Sequence, residues 1–118
     1  MNYSTLLLQY EGEIATITLN RPEKRNAISG QMMSEILSIL DEVERSKARV
    51  AILTGAGKSF CAGMDLEMLT AIAQQSAQEN QEDSRRMAKM FRRIWNFSKP
   101  LIATVQGAAL AGGSGIAT

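Results

Sequence analysis

Apolar and polar residues first alternate, then recur at helical spacing, then collect in short unbroken runs. In Ile14–Leu19, Ala15, Ile17 and Leu19 alternate with Ile14, Thr16 and Thr18, which gives a strand with one more apolar face. Thr5–Gln9 and Ile14–Leu19 flank Glu11-Gly12-Glu13, so the pattern predicts a β-hairpin with Gly12 in its turn. Pro22 ends the second strand, and the cluster of polar residues in Asn20–Ile28 predicts a loop. Ser29 is a plausible N-cap. Met32, Met33, Ile36, Leu37, Leu40 and Val43 then recur as one helical stripe, running to about Arg45. Gln31, Glu35, Ser38 and Glu42 form its polar face, and Arg45, Lys47 and Arg49 suit the negative end of the helix dipole.

The second half repeats a theme. Val50–Leu53 is a short apolar run, expected to be a buried strand, and it opens into Thr54–Leu66, with glycine at 55, 57 and 63. Met64–Ala73 predicts a helix, and Gln74–Asp83 is polar, either a mobile connection or the exposed start of the next helix. Met87, Met90, Phe91, Ile94 and Trp95 form a further apolar stripe, expected to be core or subunit interface. It is opposed by Arg85, Lys89, Arg92 and Arg93, and Lys99-Pro100 stops the helix. Leu101–Val105 predicts a second buried strand, followed by a second glycine-rich segment, Gln106–Gly115, and a helix starting at the last residues.

Composition narrows the function classes. The chain has 118 residues, 45% apolar and 21% charged, enough for one domain with a single core. A net charge of +1 gives no reason to expect nucleic acid or an anionic membrane as partner. No apolar run has the length of a membrane span, and Met1-Asn2-Tyr3-Ser4 lacks a signal peptide's basic segment. Cys61 is the single cysteine, which points to a reducing, cytoplasmic setting. With no histidine, the chain contains no histidine triad, histidine metal ligand or imidazole acid–base group, and no metal site is expected.

A strand, a glycine loop and a helix start together aim backbone N–H groups outward. That arrangement suits an anion, or an oxygen that becomes one during a reaction. Gly55-x-Gly57 has no third glycine in register for a dinucleotide fingerprint, and Lys58 lacks the glycine spacing of a phosphate-binding P-loop. Cys61 reads as a packing residue, since no histidine is present to activate it. Asp65 and Glu67 read as acids at a helix start rather than a catalytic pair.

Three segments carry a resemblance. Asn20-Arg21-Pro22-Glu23-Lys24-Arg25-Asn26-Ala27-Ile28, Gly55-Ala56-Gly57-Lys58-Ser59-Phe60-Cys61-Ala62-Gly63-Met64-Asp65-Leu66 and Val105-Gln106-Gly107-Ala108-Ala109-Leu110-Ala111-Gly112-Gly113 occur in this order. Together they resemble the N-terminal part of the enoyl-CoA hydratase/isomerase, or crotonase, superfamily. The resemblance implies an α/β crotonase-like spiral of ββα turns, with residues 1–118 as the N-terminal part of an acyl-CoA-binding domain, incomplete at the C-terminus. It implies acyl-CoA thioester processing, with the enolate oxygen held by two backbone N–H groups, those of Met64 and Gly112. It places coenzyme A along Ala62, Gly63, Asp65 and Leu66, with Lys24, Arg25 and Ala27 closing over the nucleotide. Coenzyme A enters as part of the substrate, so no separate cofactor is expected. A homo-oligomer, trimer or hexamer, is implied as well, and exposed apolar faces are expected to drive self-association.

The pattern also departs from the family. The position of the first hydratase glutamate is Gly115, which has no group to transfer a proton, and the second glutamate's place lies beyond Thr118. Ala111 stands where the usual glycine triplet begins. These departures keep a second reading open, a non-catalytic CoA-binding or assembly module.

Overall fold

The computed structural model describes residues 3–118. Strands β1 (Leu6–Glu11) and β2 (Ile14–Leu19) form the antiparallel hairpin, and Gly12 turns it at a φ of 61°. The first strand starts one residue and ends two residues later than its apolar run, because pairing with β2 continues to Glu11↔Ile14. Helix α1 (Gly30–Arg45) crosses to β3 (Val50–Gly55), which lies parallel to β2. Helices α2 (Leu66–Ala73) and α3 (Ala77–Trp95) make the next crossover to β4 (Leu101–Ala103), parallel to β3. The sheet order is β1-β2-β3-β4, and α4 (Gly112–Ala117) follows. Parallel neighbours need such helical crossovers, which cover one face of the sheet.

The alternation in β2 is realised: Ala15, Ile17 and Leu19 are buried and face the core with Leu6, Ala51 and Leu53. Ser29 caps α1 by accepting the Met32 N–H at 3.1 Å. The helix buries Met32, Met33, Ile36, Ile39, Leu40 and Val43, so Ile39 takes the core place expected of Leu37, which is only half-buried. Glu35, assigned above to the polar face, instead ties α1 to the start of β1. Its carboxylate accepts from the N–H groups of Ser4 and Thr5 at 3.0 Å each and from both hydroxyls.

Gln74–Asp83 resolves largely into helix, because Ser76 accepts the Glu79 N–H at 3.2 Å and caps α3. Met90 of α3 is fully buried, and Met87, Phe91 and Ile94 pack against the core. Trp95, expected in that stripe, is 81% exposed, one residue before the C-cap Asn96. Arg93 lies between helices rather than in solvent, with Asp41 at 2.9 Å and Glu44 at 3.0 Å on α1. The expected second buried strand, Leu101–Val105, is corrected to three residues. It lies at the sheet edge, pairs only with β3, and leaves Ile102 and Val105 about half exposed. Among the described residues no helix is long and apolar enough to cross a membrane.

Candidate functional site

The three motif segments, of which the second and third are glycine-rich, meet at one end of the sheet, beyond the ends of β2, β3 and β4. Their junction is built from backbone. Ile28 N–H donates to Gly63 O at 2.7 Å and Asp65 N–H to Ile28 O at 2.9 Å, joining the first loop to the second. Phe60 N–H donates to Ala108 O at 2.9 Å and Leu110 N–H to Cys61 O at 3.0 Å, joining the second to the third. Three glycines of the junction are required by contact, among them Gly55, where a Cβ would lie 2.6 Å from Phe60 O. A Cβ on Gly107, where φ is +66°, would lie 1.9 Å from Lys58 O, and one on Gly113 would lie 2.2 Å from Cys61 O. Each distance is far inside van der Waals contact.

Asn26 is the side chain that closes this junction, and the sequence reading did not single it out. It is fully buried in the left-handed region at a φ of 57°. Its Nδ2 donates to Ala56 O and Ser59 O at 2.9 Å each, while Oδ1 accepts from Arg21 N–H at 2.8 Å. All of its polar capacity but one lone pair is thereby engaged inside the protein. Asparagine tolerates positive φ better than most residues, and that is the signal its place beside Arg25 offered. Gln106 plays a similar part from the third segment, donating to Gly55 O, and to Gly57 O and Ser59 O at 3.3 Å.

Asp65 is structural, in line with its place at a helix start. Its Oδ1 accepts the N–H groups of Glu67 at 2.8 Å and Met68 at 3.3 Å, so α2 begins at Leu66 and not at Met64. Its Oδ2 meets Arg21 Nη2 at 2.9 Å, and Arg21 Nη1 donates to Ala27 O at 2.6 Å. Burial opposes ionisation of Asp65, but the Arg21 hydrogen bond, the two helix N–H donors and the Arg21 charge outweigh it. The carboxyl is held below its ordinary value. Cys61 is buried in the junction, and burial pushes its thiol up, as for an inert packing residue.

The structure places Gly63, the residue before Met64, beside Gly112. A Cβ on Gly63 would lie 3.7 Å from Gly112 N, and one on Gly112 would lie 3.9 Å from Gly63 Cα and 3.2 Å from Ile28 Cδ1. Among the described residues, neither the Met64 N–H nor the Gly112 N–H donates to a protein group. Ala62 donates its N–H to Arg25 O at 3.0 Å, and Gly63 adopts a φ of 103°. Lys24 and Arg25 stand exposed on the rim; Lys24 lies 3.7 Å from Glu67, and Ala27 is buried beneath them. Leu66 is 79% exposed. Gly115 faces the Phe91 ring: a Cβ there would lie 3.1 Å from Phe91 Cε1, so any side chain requires the ring to shift by a few tenths of an ångström.

Ala111 departs from ordinary geometry. Its φ of 48° and ψ of −116° suit glycine, and a side chain there stores strain on the order of 1 kcal/mol or more.

Comparison with known proteins gives consistent findings. The family model described as enoyl-CoA hydratase/isomerase matches residues 9–118. The short-chain-enoyl-CoA hydratase of Clostridium acetobutylicum is 37% identical over 123 residues, covering 99% of this chain and 44% of that protein. The hydroxycinnamoyl-CoA hydratase-lyase of Pseudomonas fluorescens is 37% identical over 116 residues, covering 94% of this chain and 41% of that protein. The crystal structure of an enoyl-CoA hydratase from Shewanella pealeana superposes with a TM-score of 0.93 at 32% identity, over 96% of this chain and 43% of that one. The chain thus has the crotonase fold of these structures and spans less than half the length of the relatives it matches.

Proposed function

Because this chain belongs to the enoyl-CoA hydratase/isomerase family, we propose that its loop junction binds an acyl-CoA thioester and polarises the thioester carbonyl. The observation that carries this reading is the pair of undonated N–H groups, on Met64 and Gly112, on backbones that approach each other closely. Two preorganised donors about 3 Å from a developing oxyanion lower a barrier by several kcal/mol. Glycine at 112 leaves room for the thioester, and Met64 contributes only its N–H, its side chain lining the acyl pocket. Coenzyme A runs along Ala62, Gly63, Asp65 and Leu66, and Lys24 and Arg25 on the rim meet its phosphates as charged donors. Ala27, buried at the base of that rim, backs the nucleotide.

The relatives named hydratases are more than twice as long, and the proton-transfer groups are not among the loops described here. Asp65, the buried carboxylate of the junction, is committed to Arg21 and to α2. A second reading, a CoA-binding or assembly module without turnover, is favoured by one observation. The Phe91 ring packs against Gly115, where the resemblance expects the first hydratase carboxylate. Self-association, expected of a homo-oligomer, is supported by the exposed side chains of Trp95, Ile102, Val105 and Leu110. The lone cysteine supports a cytoplasmic location.

Calorimetric titration of the 118-residue chain with a hydrolysis-resistant crotonyl-CoA analogue tests the binding reading. Saturable binding is expected, weakened about tenfold or more when Lys24 and Arg25 are both changed to alanine. A folded chain that takes up no CoA thioester sinks it.

A further inference from the structure

We infer that Ala111 is a positioning residue whose strain lets the Ala111–Gly112 peptide unit turn over, so that the Gly112 N–H reaches the site in only one of two orientations. The inference rests on the acyl-CoA reading above and says how one of its two donors is governed.

Gly113 N–H donates to Leu110 O at 2.8 Å, closing a turn with Ala111 and Gly112 at its centre. Ala111 has a φ of 48° and a ψ of −116°, and Gly112 has no positive φ. This is the pattern of a type II′ turn, which takes glycine at the place Ala111 occupies. Both ends of the turn are fixed to Cys61. Leu110 N–H donates to Cys61 O at 3.0 Å, and Gly113 lies so close that a Cβ there would be 2.2 Å from the same oxygen. The centre is not fixed in this way. Ala111 is exposed, and the Gly112 N–H donates to no protein group among the described residues.

A planar central peptide can rotate between fixed neighbours by changing only the ψ before it and the φ after it. Here that rotation converts type II′ to type I′, which needs positive φ at both central residues. Gly112 accepts positive φ freely. The left-handed region is open to alanine, whereas the present ψ of Ala111 lies outside every region allowed to an L-residue. One hydrogen bond opposes the change: Gly115 N–H donates to Ala111 O at 3.2 Å. That bond is long, and it belongs to a helix in which three of six residues are glycine. Strain at one residue and one such bond are of similar size, so neither orientation excludes the other. Turned over, the unit withdraws the Gly112 N–H and presents the Ala111 oxygen instead, which repels a thioester carbonyl. A carbonyl that accepts the N–H selects the first orientation.

NMR relaxation dispersion of the backbone amides tests the turn-over in the free 118-residue chain. Exchange is expected at Gly112 and Gly115, and Ala111→Gly should lower the turned-over population about tenfold and quench it. Calorimetry supplies a second readout, with butyryl-CoA, a saturated thioester, and S-butyl-CoA, a thioether that lacks the carbonyl. Ala111→Gly should tighten butyryl-CoA binding about threefold and leave S-butyl-CoA unchanged, since a donor present part of the time weakens binding by that fraction. A purely structural gain in stability would not separate the two ligands. Absence of exchange at Gly112, exchange that persists in Ala111→Gly, or an equal change for both ligands overturns the inference, and butyryl-CoA binding then leaves the acyl-CoA reading standing. If neither ligand binds either chain, the acyl-CoA reading falls and the dispersion alone decides whether the peptide turns over.

Discussion

The loop junction and the α2–α3 corner use the same kinds of polar residue to opposite effect. At the junction, Asn26 spends its amide on three backbone groups, and Gln106 reaches three carbonyls of the loop facing it. In the corner, the buried Gln75 Oε1 and Asn80 Oδ1 meet no protein donor among the described residues, and the 40% exposed Arg86 side chain reaches only Asp83, at 3.4 Å. The contrast is one of how firmly the protein itself fixes each region: the junction backbone is held by several hydrogen bonds at once, whereas the α2–α3 corner has few protein partners among the described residues.

The sharpest way to break the contrast is one substitution on each side. Asn26→Ala should cost about 3 kcal/mol or more, since it strands buried donors and acceptors on several partners. Asn80→Ala should stay within about 0.5 kcal/mol. Urea denaturation of both variants measures the difference, and similar costs would show that the two regions are not distinct.

A smaller effect is expected at Asp65. Its carboxyl is depressed in the folded state, so its contribution is full above the ordinary carboxylate value near about pH 4 and fades as pH falls through the depressed one. Asp65→Asn should cost about 2 kcal/mol at neutral pH and flatten the acid limb of the stability profile. An unchanged acid limb would remove the Arg21–Asp65 pair from the junction's support.

The smallest expected change has the opposite sign. Ala111→Gly should stabilise the chain by about 1 kcal/mol, because glycine accepts the φ of 48° without strain. A melting temperature that does not rise would mean that the strain is absorbed elsewhere.

Much of the fold is legible in the sequence, because period and caps are local. The alternation from Ile14 to Leu19, the Ser29 cap and the apolar stripe of α1 each have a mechanism that needs no distant partner. Leu101–Val105 misleads because an apolar run does not say how many neighbours it will have; pairing on one side alone leaves Ile102 in solvent. Leu37 and Ile39 are both apolar on one helix, and only the sheet beneath α1 decides which is covered. The approach of the Gly63–Met64 turn to Gly112 follows from the family resemblance. The role of Asn26 does not, since two of its three partners, Ala56 and Ser59, lie thirty or more residues away and all are backbone atoms that any residue supplies.

The junction also bears on the order of assembly. Its ties are long in sequence: Asn26 to Ala56 spans 30 residues and Gln106 to Gly55 spans 51. The β1–β2 hairpin closes over a few residues, whereas the Asn26 link requires the first crossover and the Gln106 link requires both. The loops that hold the two N–H groups are therefore complete only once both crossovers are in place, and on the acyl-CoA reading ligand uptake reports completion of the fold.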